Sequence, residues 1–598
     1  MYVNLHSYLR ADISRRLVPG RLFTCQAAFL IFFSFLSGAN GQVQSGFVRL
    51  EGTISSKIRP EDDQGLVDAN KRLPSITMSF RRTVEQHAAL DQLLRDQQDP
   101  SSADFHKWLT PEQFAERFGI TSDDVNQVAA WLRAEGFIVD ATARSRGWIA
   151  FSGTAAKVQK SFQTEIHRYR IDGKMHFAVS KPPAIPAPFE PLIGGIRGLD
   201  DFFPVHSGKF EPLYTAPNGT HAIAPQDLAR IYTYSGTTSL GQGQTIAVVG
   251  QSDIKLADIE KFRSTFLLPF NDPKLLLVGE DPGIDSGGGE LEADLDLEWS
   301  GAVASQANIV YVYAQNAFDA AQQAIDQNLA TILSSSYTAC ESGVPAASAA
   351  ALRDLAQQAN AQGMTWVAAS GDAGAAACDQ GSYPATQGLA VNLPASFPEV
   401  TGIGGTEFND QPNSWQPTNG DDFSSVNGYI PEIAWNDTSP TLHLEASGGG
   451  ASALYAKPAW QIGPGVPNDG ARDVPDLAFT ASPNHDPFLL ISGGQTYTGG
   501  GTSVSAPVFA GMLALEQQQM AILAPGVRLG NINPTLYVLA AAPTPTGDVA
   551  IFHDVTSGNN SVPCANGTPN CVDGSLGYNA GPGYDLVTGL GSINVASF

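Results

Sequence analysis

Two hydrophobic rhythms divide the chain. From about residue 42 to 200, short amphipathic helices mix with strand-like runs. Glu85 to Gln97 reads as a helix with Leu90, Leu93 and Leu94 on one face. Thr110-Pro111-Glu112-Gln113 opens a second helix, with proline in its first turn. Thr121-Ser122-Asp123-Asp124 opens a third, which runs through Val128 and Leu132 to Glu135 and stops at Gly136. Strands are expected at Phe137-Ile138-Val139, Trp148 to Phe151 and Glu165 to Tyr169, with a helix from Ala155 to Phe162 between the last two. The mixture predicts a small α+β domain. Past about residue 223 the pattern changes. Apolar strands at Gln244–Val249, Ile309–Tyr313, Thr331–Ser336 and Thr365–Ala369 alternate with helices near Ala317–Asn328 and Ala349–Gln362. That alternation predicts an α/β domain with a parallel sheet and helices on both faces. Ligands of such sheets bind at the carboxyl ends of the strands. Residues 201–222 carry no strong period and include Pro204, Pro212 and Pro217, as a linker would.

The sharpest local signal is Gly499-Gly500-Gly501-Thr502-Ser503, followed at once by an apolar run of helical length from Val508 to Leu515. Glycines permit a tight turn. Ser503 then stands at the start of a helix, its oxygen exposed beside the positive helix end, a setting that suits a nucleophile. For a generic Gly-Thr-Ser string, a plain N-cap would explain the residues as well. The full string Gly-Thr-Ser-x-Ser-x-Pro-x-x-x-Gly, however, matches the serine motif of the subtilisin-like clan. A second constellation is Glu292-Ala293-Asp294-Leu295-Asp296-Leu297-Glu298-Trp299. On a helix, Glu292 and Asp296 are neighbours one turn apart. Their repulsion raises one pKa and favours a shared proton. Taken alone, such a segment is more often a solvated acidic face. Asp372, in Gly371-Asp372-Ala373-Gly374, follows a buried strand directly, where active-site groups gather. The base histidine of a subtilisin, in a His-Gly-Thr string, is missing: His206, His221, His443, His485 and His553 lie in no such string. The serine therefore needs another base, and Glu292 with Asp296 can provide it.

Serine without histidine, an Glu-x-x-x-Asp helix and a Gly-Asp after a strand together resemble the sedolisin family, the serine-carboxyl peptidases. Pro394-Ala395-Ser396, Ser447-Gly448-Gly449-Gly450 and Arg472-Asp473-Val474-Pro475-Asp476 extend the match, and Phe105 to Phe114 with Ile196-Arg197-Gly198-Leu199 resemble that family's activation prodomain. The resemblance spans roughly residues 45–598. It implies a subtilisin-like catalytic domain over 223–598, a ferredoxin-like prodomain over 42–202 that assists folding and blocks the site, and an activation linker over 203–222. It also implies roles: Ser503 as nucleophile, Glu292 as general base, Asp296 as its orienting partner, and Asp372 as a protonated donor to the oxyanion. Near the C-terminus it implies one structural calcium ion, with carboxylates from Asp554 and Asp585 and carbonyls from Val555, Gly581 and Gly583. The family includes both endopeptidases and tripeptidyl exopeptidases. A catalytically silent binding protein on the same fold is the alternative from another class.

Composition sharpens the address. Residues 1–41 read as a secretion signal: four arginines, a short apolar core from Ala27 to Leu36, and Ala39-Asn40-Gly41. Residues 201–598 hold only 10 basic against 38 acidic side chains within a chain of formal charge −25. At neutral pH that segment repels itself, and acid relieves the repulsion. The expectation is a secreted enzyme working in acid on proteins or peptides, a monomer inhibited by its own prodomain, with neither nucleic acid nor membrane as partner. Beyond Cys25 in the leader, Cys340, Cys378, Cys564 and Cys571 allow three pairings. Cys340–Cys378 with Cys564–Cys571 is favoured, the second closing a short loop.

Overall fold

A computed structural model describes residues 46–598 except 207, 213–220, 422, 524–525 and 544–548; the expected leader lies outside the described residues. The N-terminal domain is built on four strands, Arg72–Phe80, Ile138–Thr142, Trp148–Thr154 and Ile193–Arg197. Taking these as first to fourth in sequence, their order across the sheet is second, third, first, fourth, and every pair is antiparallel. Helices Val84–Asp96, Pro111–Phe118 and Ser122–Ala134 lie between the first and second strands, and Ala155–Ser161 between the third and fourth. This is the ferredoxin-like split βαβ arrangement. The helices begin where side chains can serve the free N–H groups of the first turn. Thr83 and Thr110 form capping boxes with Gln86 and Gln113, and Thr121 and Thr154 accept from Asp124 N and Lys157 N. Val125, Val128 and Leu132 point from their helix onto Ile76, Met78 and Phe151 in one buried core.

The second domain carries an eight-stranded sheet. Its strands run Lys274–Leu277, Asn308–Tyr313, Thr245–Gly250, Ile332–Ser335, Thr365–Ala369 and Val400–Phe408, all parallel; Leu477–Thr480 pairs parallel with the last. One member departs from the expected parallel sheet, the strand Glu432–Ala434, which is antiparallel. The faces follow the two-residue period of a strand. Ile246 and Val248 enter one core with the helices Gly289–Val303 and Thr502–Leu523; Ala247 and Val249 enter another with the helices Ala317–Asp326 and Ala346–Ala361. Both faces are thus covered, which is why these strands read as continuous apolar runs.

The N-terminal domain rests on the outer helices of the second. Arg82 pairs with Asp354 at 2.7 Å, and Arg197 with Gln322 at 2.6 Å and Asp319 at 3.3 Å. Ser75 donates to Asp319, and Asp326 accepts Arg144 N and Ser145 N. Beyond this domain, the connecting segment is not irregular as its sequence suggests. Val205–His206 pairs antiparallel with Tyr337–Thr338, and Lys209–Pro212 pairs antiparallel with Tyr497–Gly500. Both disulfides form as favoured, Cys340–Cys378 and Cys564–Cys571. No helix among the described residues is long and apolar enough to cross a membrane.

Candidate active site

The strand Gln495–Gly500 delivers the chain to Gly501, whose φ of +105° turns it into the helix Thr502–Leu523. A Cβ at Gly501 would stand 2.3 Å from Asp372 Oδ2, so only glycine lets the turn close against that carboxyl. Ser503 is the second residue of the helix. Pro507 has no N–H to give the carbonyl four residues before it, which is that of Ser503. The vacancy is filled from the neighbouring strand end: Ser336 Oγ lies 3.0 Å from the Ser503 carbonyl oxygen. Ser503 Oγ itself has no hydrogen-bond partner among the described residues. It is fully buried, not exposed as the sequence suggests.

The acidic helix reverses the solvated reading. Glu292, Asp294, Asp296 and Glu298 are all buried, since the helix is packed between the sheet, the Ser503 helix and the strand Phe488–Ser492. Burial first, then the charge of Glu292, hold the Asp296 carboxyl well above the usual carboxylate range. Ser336 Oγ is 2.7 Å from Asp296 Oδ1. One hydroxyl proton cannot serve both Asp296 and the Ser503 carbonyl, and a carbonyl only accepts. A protonated Asp296 resolves this: it donates to Ser336, and Ser336 donates to Ser503. Neither oxygen of Glu292 has a hydrogen-bond partner among the described residues, a high-energy state for a buried carboxyl.

Asp372 follows the carboxyl end of the strand Thr365–Ala369. Its Oδ1 accepts from Thr502 N at 2.8 Å and Thr502 Oγ1 at 2.7 Å, while Gly371 N donates to Thr502 Oγ1 at 3.0 Å. Burial pushes its pKa up to about 7, against the opposing hydrogen bonds from Thr502. Because Oδ1 is occupied by two donors, the proton belongs on Oδ2, which has no partner among the described residues. Ser336 thus ties Asp296 to Ser503, and Thr502, the residue before Ser503, ties Asp372 to the same helix, while Glu292 stands one turn from Asp296. Neither Ser336 nor Thr502 was expected to hold a catalytic group in place; Thr502 entered only within the serine motif, as a possible helix cap. The polar run Ser334-Ser335-Ser336 at the end of an apolar strand is the signal that could have found the first.

The linking segment closes this site. His206 Nδ1 is 3.5 Å from Glu292 Oε2, an ion-pair contact longer than a formed hydrogen bond. Burial pulls the imidazole pKa down, but Glu292 outweighs it and the net shift is upward. A Cβ at Gly208 would sit 2.4 Å from Glu292 Oε2, so the chain passes directly over that carboxyl. Lys209 reaches sideways to the buried Glu445, 2.6 Å away.

Two places gather oxygen ligands. Asp258, Glu290 and Asp294 are buried, with carboxylate oxygens within 4.8 Å of one another, close enough to hold a metal ion; Lys255 already contacts Glu290. The sequence did not single these out. The residues expected to bind calcium also converge. Gly583 N donates to Asp554 Oδ2 at 2.9 Å and Gly581 N to Asp585 Oδ2 at 3.0 Å. Asp585 Oδ1 accepts Val587 N and Thr588 N, and Thr588 Oγ1 is 3.5 Å from the Val555 carbonyl. Burial raises the Asp585 pKa despite these donors. Asp585 within the glycine-rich loop, Asp554 beside it and the Val555 carbonyl are a hard-oxygen set that fits calcium.

Comparison with known proteins agrees with this geometry. The Pro-kumamolisin activation domain model matches residues 62–202, and the subtilase family model matches 299–527. The chain is 30% identical over 529 residues to sedolisin of Pseudomonas sp. (strain 101), covering 85% of this chain and 84% of that protein. It is 30% identical over 569 residues to kumamolisin of Bacillus sp. (strain MN-32), covering 89% and 91%. Tripeptidyl-peptidase 1 of Homo sapiens is 25% identical over 588 residues, covering 90% of this chain and 94% of that one. The structure of Pseudomonas sedolisin, a serine-carboxyl proteinase complexed with two molecules of pseudo-iodotyrostatin, superposes with a TM-score of 0.52 at 29% identity, over 63% of this chain and 97% of that one. The chain thus belongs to the sedolisin family: it is a serine-carboxyl peptidase with a subtilisin-like fold and an N-terminal activation domain.

Proposed function

We propose that this chain is a secreted proenzyme that cuts itself in its linker and then acts as an endopeptidase in acid. In this reading Glu292 takes the proton of Ser503 Oγ as the oxygen attacks a peptide carbonyl. An acyl-enzyme forms, and Glu292 returns the proton to the leaving amine. Water then attacks the acyl carbon, giving its proton to Glu292; the bond to Ser503 Oγ breaks, Oγ takes that proton from Glu292, and the acid product leaves. Asp296, held neutral, orients Glu292 and, through Ser336, the backbone of Ser503. Asp372 donates its Oδ2 proton to the oxyanion; such a donor is worth roughly 3 kcal/mol of transition-state stabilisation. That donor exists only below the Asp372 pKa of about 7, which supports an acid optimum.

The carrying observation is the linking strand, hydrogen-bonded on both sides of Glu292, to Tyr337–Thr338 before it and Tyr497–Gly500 after it. A chain that continues in both directions past the nucleophile favours cleavage of internal bonds over removal of tripeptides. It also supports inhibition by the enzyme's own N-terminal domain. The leader at 1–41 supports secretion, and the acidic charge speaks against nucleic acid as partner. Asp554, Val555, Gly581, Gly583 and Asp585 would hold one calcium ion, whose chemistry is to neutralise and rigidify that loop. The expected active form is a monomer acting on proteins or peptides. The test is acid incubation of the purified proenzyme beside Ser503→Ala. The wild type should shorten to a form beginning at residue 207, 208 or 209 and then hydrolyse peptides, while the variant stays full length. A wild type that stays intact and inactive at every pH would move the binding-protein alternative to the front.

A further inference from the structure

Lys209 enters the body of the second domain from the linking strand and ends on a glutamate that no other cation among the described residues pairs with. Its Nζ is 2.6 Å from Glu445 Oε2 and donates to the Leu442 carbonyl at 2.7 Å. Glu445 is 1% exposed, deep for a carboxylate that is not part of the catalytic set. Its backbone is fixed. Glu445 N is held by Thr438 Oγ1, its carbonyl accepts Asp437 N, and the next residue, Ala446, donates its N–H to the Asp372 carbonyl. Glu445 is therefore locked to the segment that carries Asp372. Lys209, for its part, is registered opposite Gly500, three residues before Ser503. The other acid in this region, Asp437, is engaged by Trp435 Nε1, Ser482 Oγ and Asn484 Nδ2. Among the cations of the described residues, Lys209 alone makes an ion pair with Glu445.

Once the linker is cut, the new amino terminus that carries Lys209 is free to withdraw, and Lys209 comes out of the site with it. A buried carboxylate and a carbonyl acceptor are then left at the site wall without their cation, an arrangement that is unfavourable until another cation enters. We propose that Glu445, with the Leu442 carbonyl, forms a leaving-side subsite of the mature peptidase that takes a lysine or arginine side chain of the substrate, and that Lys209 is its occupant in the proenzyme. The direction follows from chain polarity: His206 precedes the crossing of Glu292 and Lys209 follows it, so the subsite reads the product half that departs with the new amino terminus. The depth from strand to Glu445 suits a side chain of lysine length, with its stem along the wall and its charge at the floor.

This rests on the peptidase reading above, and the experiment separates the two. Two peptides carry the linker's own sequence from Phe203 to Pro212, one with lysine and one with norleucine at the position of Lys209, so the register is set by this chain. Acid-matured wild type is expected to cut both at the same bond, with kcat/KM roughly ten-fold or more in favour of lysine, the scale of a charge pair shielded from water. In Glu445→Gln that ratio should collapse toward one. In Glu445→Lys, glutamate at the same position should become the preferred residue, a gain that a damaged fold cannot produce. Equal rates on the two peptides in wild type, or an undiminished lysine preference in Glu445→Gln, would overturn the subsite and leave the peptidase standing. Failure of wild type to cut either peptide would remove both.

Discussion

At the scale of single residues, the site is governed by which carboxyls stay protonated. Asp372 is the clearest case, because its two oxygens have different tasks: Oδ1 accepts from Thr502 twice, and only Oδ2 can donate. Asparagine reproduces this division, with its oxygen toward Thr502 and its amide group in place of Oδ2. Unlike Asp372, it cannot lose its proton as pH rises through about 7. Asp372→Asn should therefore keep measurable hydrolysis and lose the decline of kcat near pH 7 that is expected of the wild type. A variant profile that falls at the same pH would assign that limb to another group. The four principal residues were legible in the sequence because each sits in a motif whose spacing is local. Ser336 and Thr502 were not, because their value lies in contacts to Asp296 and Asp372 across 40 and 130 positions of chain. Nor could alternation of acid and apolar residues from Glu292 to Glu298 reveal burial; the same string suits a wet helix, and only packing on every side of it decides.

At the scale of elements, the linker and the domain contacts act in series. Four parallel strands and the helices that follow two of them were readable from their periods; the parallel strands Lys274–Leu277, Val400–Phe408 and Leu477–Thr480 were not, nor was the antiparallel strand Glu432–Ala434. The two short linker strands were invisible, since their pairing depends on edges supplied by residues more than 130 positions away. They are held in place by a domain whose own grip is concentrated in a few polar contacts. Arg82 is nearly buried in its pairing with Asp354 and Gln357. Truncating one side of such a pair typically costs about 2–5 kcal/mol, largely through the charge left behind. Arg82→Ala should thus loosen the domain and speed acid processing of the proenzyme, followed as the full-length band disappearing on a gel. Processing at the wild-type rate would mean that the strand pairing, and not the domain contact, sets the barrier.

For the whole molecule, the buried acids set a direction for stability. Burial lifts Asp372, Glu407 and Glu516 to about 7, and Asp200 and Asp473 to about 6. Unfolded carboxyls titrate near 4. Between about pH 4 and 7 the native state therefore holds protons that the unfolded chain has lost, so stability falls as pH rises through that window and is fully present below it. The excess of 38 acidic over 10 basic residues after residue 200 works the same way. Calorimetry of Ser503→Ala, which cannot digest itself, should show a higher unfolding temperature at pH 4.5 than at pH 7.5. The reverse order would mean that exposed ion pairs outweigh the buried carboxyls.

The strand from Lys209 to Pro212 has one more consequence. It is covalently attached to the enzyme it fills, so the first peptide this molecule meets is always its own, at a local concentration that dilution does not change. Maturation should follow first-order kinetics, with a half-time that is the same whether the proenzyme is dilute or concentrated. A half-time that shortens in proportion to concentration would mean that one molecule opens another. If the order is one, each molecule keeps its own time: the delay before activity is written into a single strand, and crowding neither hastens it nor holds it back.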